Sequence, residues 1–220
     1  MSGPDRPFAR DGAALVRQKR PAASEEAGLV ALFGRLHDEH VAAFASARAL
    51  LEPAATLGAA VISALKSGGK VLLCGNGGSA ADCQHVATEF TVRFETTRRG
   101  LPAIALTTDS SAMTAAANDL GYSRVFARQI EALGRPGDVL IAITTSGTSE
   151  NILVALKAAR RMGLVTACLT GRDGGAVAAE SLADHCLIVP AEQTARIQEV
   201  HIFLGHLICA ATDAAFAEEG

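Results

Sequence analysis

Residues 70–85 read KVLLCGNGGSAADCQH. Val71–Cys74 is a short unbroken apolar run, the pattern of a strand buried on both faces. It ends in Gly75-Asn76-Gly77-Gly78, and glycines allow a sharp turn and a close backbone approach to a ligand. Ser79 then stands where it can cap a following helix. The same rhythm of strand, turn and helix continues downstream. Further strands are expected at Ala103–Leu106, Val139–Thr144, Val165–Thr170 and Cys186–Val189, and a long final helix runs from about Thr194 to Ala217. Strands alternating with helices require right-handed crossovers and a parallel sheet. Five such strands predict a small doubly wound α/β fold.

Upstream of Lys70 the periodicity is helical. Leu29, Leu32, Phe33, Leu36, Val41, Phe44, Leu50 and Leu51 recur mostly at helical spacings. Pro53 suits the first turn of a second helix, which carries Leu57, Val61, Ile62 and Leu65 and stops at Ser67-Gly68-Gly69. This part is expected to form a helical hairpin that belongs, with the sheet, to one domain over 24–220. Residues 1–23 mix Gly, Pro and charge without period and are expected to be a disordered tail.

The bulk composition excludes several classes. With a net charge of −3 the chain has no basic footprint for nucleic acid. No uninterrupted apolar run approaches the ~20 residues of a membrane span. The run Ala13–Val16 is too short for a secretory signal. The five cysteines are scattered without CxxC spacing, and Cys74, Cys168 and Cys209 lie in apolar runs, as small core residues do. A reducing, cytoplasmic location fits them.

Ligands of such sheets bind outside the carboxyl ends of the strands, which directs attention to the segments after Cys74, Leu106, Thr144 and Thr170. The glycine loop after the first strand is neither the dinucleotide fingerprint nor a P-loop. Read alone, it is equally a tight strand-to-helix turn without a ligand or an anion site at a helix start. The loop after the third strand, TTSGTSEN at residues 144–151, places five hydroxyls directly before a helix. Ordinary capping needs one hydroxyl, so a phosphate cradle is the better account.

Two groups of titratable residues follow from helical spacing. His85 and Glu89, four apart, share a helix face as a metal pair, an acid–base pair or a plain surface pair. The final helix carries Gln198, Glu199, His201 and His206 in an otherwise apolar stretch. Gln198 and His206 lie about 12 Å apart along the axis and about 80° apart around it. They reach one metal only if their side chains lean together or another subunit supplies a ligand. A paired core histidine is the alternative for His206.

Taken together, GNGGSAADCQH, LPAIALTTDSSAMTAAANDLGY, GRPGDVLIAI, TTSGTSEN, LTGRDGG and ARIQEVHIFLGH resemble the SIS (sugar isomerase) family over roughly residues 25–216. The closest likeness is to the branch that isomerises sedoheptulose 7-phosphate. The resemblance implies a five-stranded flavodoxin-like SIS sheet flanked by helices, and an intramolecular aldose–ketose isomerase that makes D-glycero-D-manno-heptose 7-phosphate through an enediol(ate). That reaction opens heptose-nucleotide synthesis for lipopolysaccharide, other surface glycans or natural products. The resemblance further implies a phosphosugar grip by Thr145, Ser146 and Ser149 with Thr144 beside them, and substrate contacts from Asn76, Gly77, Gly78, Asn118 and Asp119, with Glu89 and Gln198 also at the substrate.

It implies one zinc per subunit on His85, Glu89, Gln198 and His206, and a homotetramer with active sites at subunit boundaries. Isomerisation needs a proton taken from C1 and one delivered at C2. Glu89 is assigned as the base at C1 and His206 as the partner acid. The chain departs from the family pattern at Thr144, where relatives often have Ser, and at Ala195, where some carry an acid. A rival branch is non-enzymatic and binds the bacterial replication initiator; RFETTRRGLPAIALTTD is like that branch. That branch lacks residues matching Glu89 and His206, both present here. Sugar-phosphate-sensing regulators carry an added DNA-binding domain, for which the N-terminal tail is too short.

Overall fold

A computed structural model describes residues 23–217. It contains helices α1 (Ala23–Ala47), α2 (Leu51–Lys66), α3 (Gly78–Thr91), α4 (Ser110–Leu120), α5 (Val125–Leu133), α6 (Glu150–Arg161), α7 (Gly175–Ala179) and α8 (Thr194–Phe216). Its strands are β1 (Val71–Gly75), β2 (Ala103–Ala105), β3 (Val139–Ile143), β4 (Val165–Gly171) and β5 (His185–Val189). The tail expected over 1–23 lies outside the described residues except for Ala23, where α1 begins. The chain divides into a unit up to His37 and a unit from Asp38 onward that holds the sheet.

All pairings are parallel, in the order β2-β1-β3-β4-β5, so five strands stand where the apolar runs place them. Alternate strand residues enter two cores. Val71, Leu73, Val139, Ile141, Ala167, Leu169, Leu187 and Val189 pack with residues of α2, α3 and α8. Leu72, Cys74, Leu140, Ala142 and Cys168 pack with residues of α5, α6 and α7. Burial on both faces explains why the strands read as unbroken apolar runs rather than alternating ones. Cys74, Cys83, Cys168 and Cys209 are buried small residues, and burial pushes the thiols of Cys74 and Cys168 well above the usual range.

The expected helical hairpin is a correction. The backbone stays helical at Ala47, Leu50 and Leu51, and a 3₁₀ turn at Arg48–Leu50 leads from α1 into α2 without a reversal. Glu25–Lys66 is thus one helical run. The cause is local. Pro53 lacks an N–H and crowds the carbonyl four residues back, which tightens the helix there. Arg48, Ala49, Leu50 and Leu51 are all helix formers, with no glycine to turn the chain.

That run and Thr194–Phe216 have the length and mean composition of membrane spans, although charged residues interrupt both. Helix α8 spends its apolar side chains on the core, where Ile197, Val200, Leu204, Ile208 and Phe216 are buried. Near its end Asp213 receives Arg98 Nε at 2.7 Å and the amides of Glu95 and Thr96 at 2.9 and 2.8 Å. Arg98 also donates to the carbonyls of Glu89 and Phe90, so this link ties the chain after α3 to α8.

Candidate active site

Glycine is required in the turn after β1 by close approach at Gly75 and by backbone conformation at Gly77. A Cβ at Gly75 would sit 2.8 Å from the Ser79 carbonyl oxygen, and Gly77 has φ +55°. Gly77, not Ser79, stands at the cap of α3; Ser79 lies one residue past Gly78 in the first turn and is buried. The turn after β3 is pinned as well. Gly147 has φ +65°, and a Cβ there would collide with the Gly174 carbonyl in the loop after β4.

Between these two turns lies a cavity of about 70 Å³ lined by Asn76, Ser79, Ile143, Thr144, Thr145 and Ser149. β1 and β3 are sheet neighbours from which the chain winds in opposite directions, so the cavity sits at the switch point of the sheet. Its polar groups are hydroxyls and an amide, without a carboxylate. Ser149 caps α6 by position only, and its Oγ lies 3.4 Å from Thr144 Oγ1. The hydroxyls are therefore left for a ligand at a helix N-terminus, which favours an anion. Ser146 Oγ accepts from Thr148 Oγ1 at 3.0 Å and does not line the cavity. Asn76 is paired with Asn151 and with Tyr122, two residues that the sequence did not single out; only the fold brings them together.

A second cluster stands farther along α3. His85 Nε2 lies 3.2 Å from Glu89 Oε1 and 3.2 Å from His206 Nε2. Phe94 stacks on His206 with centroids 5.3 Å apart. Burial and neighbouring His85 hold His206 below the usual histidine range, against the pull of Glu89 and Glu95, so its imidazole is neutral at pH 7. Gln84, His85, Thr88 and Glu89 line an open depression beside the cluster. His201 is the core histidine: it is fully buried, its Nε2–H donates to the Thr170 carbonyl at 3.1 Å, and burial lowers it to about 4.

The remaining predicted residues separate. Gln198 lies against Gly78, where a Cβ would be 2.5 Å from its Nε2, seven residues and about 10 Å of helix before His85. It makes no hydrogen bond to the His–Glu cluster. Among the described residues no three His, Cys, Asp or Glu side chains close around a common point as metal ligands do; His85 is the middle of a chain. Asn118 donates to Asp119 at 2.7 Å at the end of α4. Asp119 faces a groove beside Arg124 and Arg128 rather than the hydroxyl cavity.

Comparisons with known proteins give the family. A model of the SIS domain matches residues 37–171. The phosphoheptose isomerase of Roseiflexus sp. (strain RS-1) is 56% identical over 162 residues, covering 72% of this chain and 80% of that protein. That of Thiobacillus denitrificans is 51% identical over 187 residues, covering 81% and 95%. Among solved structures, phosphoheptose isomerase from Neisseria gonorrhoeae superposes with a TM-score of 0.80 at 44% identity, covering 84% of this chain and 99% of that one.

Proposed function

The chain belongs to the SIS-domain family, and from that membership we propose that it is an aldose–ketose isomerase converting sedoheptulose 7-phosphate to D-glycero-D-manno-heptose 7-phosphate. The observation that carries the chemistry is the contact of Glu89 and His206 through His85, on the helix that starts at the anion-suited cavity. Thr144, Thr145, Ser149 and Asn76 hold the phosphate at the strand ends, with Ser146, Gly77 and Gly78 completing the two turns around it. The sugar then extends along α3 past Gln198, which reads a substrate hydroxyl beside Gly78. The family likeness adds Asn118 and Asp119 as sugar contacts, although in the single chain Asp119 faces the groove of Arg124 and Arg128.

Glu89 takes the C1 proton, giving an enediol(ate), and a proton is returned at C2. With no metal on it, the neutral His206 imidazole has one donor and one acceptor, which suits it to move a proton between the O1 and O2 oxygens; as a zinc ligand it would keep only the donor. Replication-initiator binding is not favoured, because the relatives named above are isomerases and Glu89 and His206 are both present.

Two imidazoles and a carboxylate are a suitable donor set for zinc. The three do not close around a common point in this single chain, so binding would need Glu89 and His206 to draw in about the ion. From the family likeness His85, Glu89, Gln198 and His206 would hold the ion, one per subunit; Gln198 lies against Gly78 here and would have to swing to join the other three. Bound zinc would polarise the substrate carbonyl. Metal analysis of purified protein and the shift in Tm when zinc is added to chelator-treated protein test this; no bound zinc together with no shift on addition sinks it.

The reading also includes a cytoplasmic homotetramer with sites at subunit boundaries, supported by the exposed Leu29, Val30 and Phe33 on α1. Light scattering at micromolar concentration checks this, and a monomer would contradict it. For the reaction, the protein is incubated with sedoheptulose 7-phosphate in D₂O, and NMR follows the aldose and deuterium at C2. Glu89→Gln is expected to lose at least ~10³-fold in rate while keeping its fold. No turnover by a folded, zinc-supplemented wild type would refute the isomerase.

A further inference from the structure

The side chain of Asn76 is held from two sides. Its Oδ1 accepts from Asn151 Nδ2 at 2.8 Å and from the Tyr122 hydroxyl at 3.0 Å. Its Nδ2 donates to Asn151 Oδ1 at 2.9 Å. A primary amide has two N–H donors and one oxygen with two lone pairs. Both lone pairs and one N–H of Asn76 are thus occupied, which leaves a single N–H. Asn76 lines the hydroxyl cavity, so that N–H is what its amide has left to offer a ligand.

The two partners differ in kind. Asn151 is buried at 3% exposure, two residues after Ser149 at the start of α6, and the helix fixes its place. Paired with Asn151 alone, Asn76 has no fixed sense. Both amides can turn over together, keep their reciprocal bonds, and exchange the outer N–H of Asn76 for its outer oxygen lone pair. The Tyr122 hydroxyl selects between the two senses: a phenol is a stronger donor than acceptor, so the arrangement in which it donates to Oδ1 is favoured over the one in which it accepts from Nδ2. Tyr122 is the chain's one tyrosine and is 57% exposed, so burial of its ring gives little reason for its position. It follows Gly121 (φ +86°), just past the end of α4, and so ties that segment to the glycine loop after β1.

We propose that Tyr122 and Asn151 are positioning residues that fix Asn76 as a hydrogen-bond donor to the phosphosugar. The inference rests on the phosphosugar reading above and adds to it the sense of one contact. A site set this way accepts phosphate or sugar oxygens at Asn76 and rejects a group that can only donate.

Tyr122→Phe keeps the ring and removes the hydroxyl. In steady-state assays with sedoheptulose 7-phosphate, KM is expected to rise about three- to tenfold, the factor that one net hydrogen bond carries. The value of kcat should stay within about twofold, because the contact acts on binding, and Tm should not change. A KM for Tyr122→Phe equal to that of wild type overturns the proposal. So does a fall in Tm together with kcat, which would give the phenol a purely structural role. If the wild type does not turn over the heptose phosphate, the functional reading fails on its own. Titration with inorganic phosphate, followed by NMR of the amides of residues 144–149, then decides: weaker binding by Tyr122→Phe than by wild type supports the proposal, and equal binding refutes it.

Discussion

Two histidines of α8 show how a residue's surroundings set its work. His206 stands half-buried against His85 and Phe94, where a neutral ring can exchange protons. His201 is fully buried, with Nε2 on the Thr170 carbonyl and Nδ1 unpartnered. With a folded value of about 4 against about 6.5 unfolded, His201 binds fewer protons in the native state between those limits. Its contribution is therefore complete above about pH 6.5 and is lost as the pH falls toward about 4. Urea melts from pH 4.5 to 7.5 are expected to show stability declining with acid, and His201→Gln should flatten that slope. The residue types of the His85–Glu89–His206 cluster were legible from helical spacing and family likeness. Which of the two α8 histidines is the core one was not, because that depends on which face meets β4.

At the scale of elements, α3 and α8 form the frame of the site. A Cβ at Gly205 would lie 2.7 Å from Val86 Cγ2, and a Cβ at Gly78 would strike Gln198, so both helices use glycine to approach closely. Gly205→Ala is expected to destabilise by about 1–3 kcal/mol through overpacking. It should also lower kcat, since His206 is the next residue. Val86→Ala in the same chain should restore part of both, measured by denaturant melts and initial rates. Neither close approach shows in the sequence, where Gly205 sits unremarked in an apolar helix. The strands were readable because burial on both faces writes them as apolar runs ended by glycine or hydroxyl loops. The helical hairpin was misread because Pro53 suits a helix start and a tightened helix alike, and only the backbone at Arg48–Leu51 separates the two.

For the whole molecule, the switch point of the sheet explains where the phosphate cavity sits, and the opposite end of the sheet is closed by charge. Asp138 accepts from Lys70 Nζ at 2.6 Å and from the amides of Lys70 and Arg135. The Arg98–Asp213 pair makes a second buried closure. Burial alone would raise the Asp213 carboxyl, but the Thr96 amide, Arg98 and the Glu95 amide together hold it below the usual range. Its stabilisation is present above about pH 4 and is lost as pH falls through the lower folded value. Asp213→Asn leaves Arg98 buried without its counter-charge and is expected to cost about 3–5 kcal/mol, read from denaturant melts at pH 7.

Residues 92–102 carry almost no regular structure, yet the amides of Glu95 and Thr96 end on a carboxylate that is 4% exposed. Opening this loop by itself would carry Arg98 away, leave the Asp213 carboxylate in the interior without its donors and strip the guanidinium from the Glu89 carbonyl. In hydrogen–deuterium exchange these two amides should therefore behave as core amides do, exchanging only when the entire chain opens. The proposed catalytic helix would then end in a rigid joint where its irregular backbone suggests a hinge.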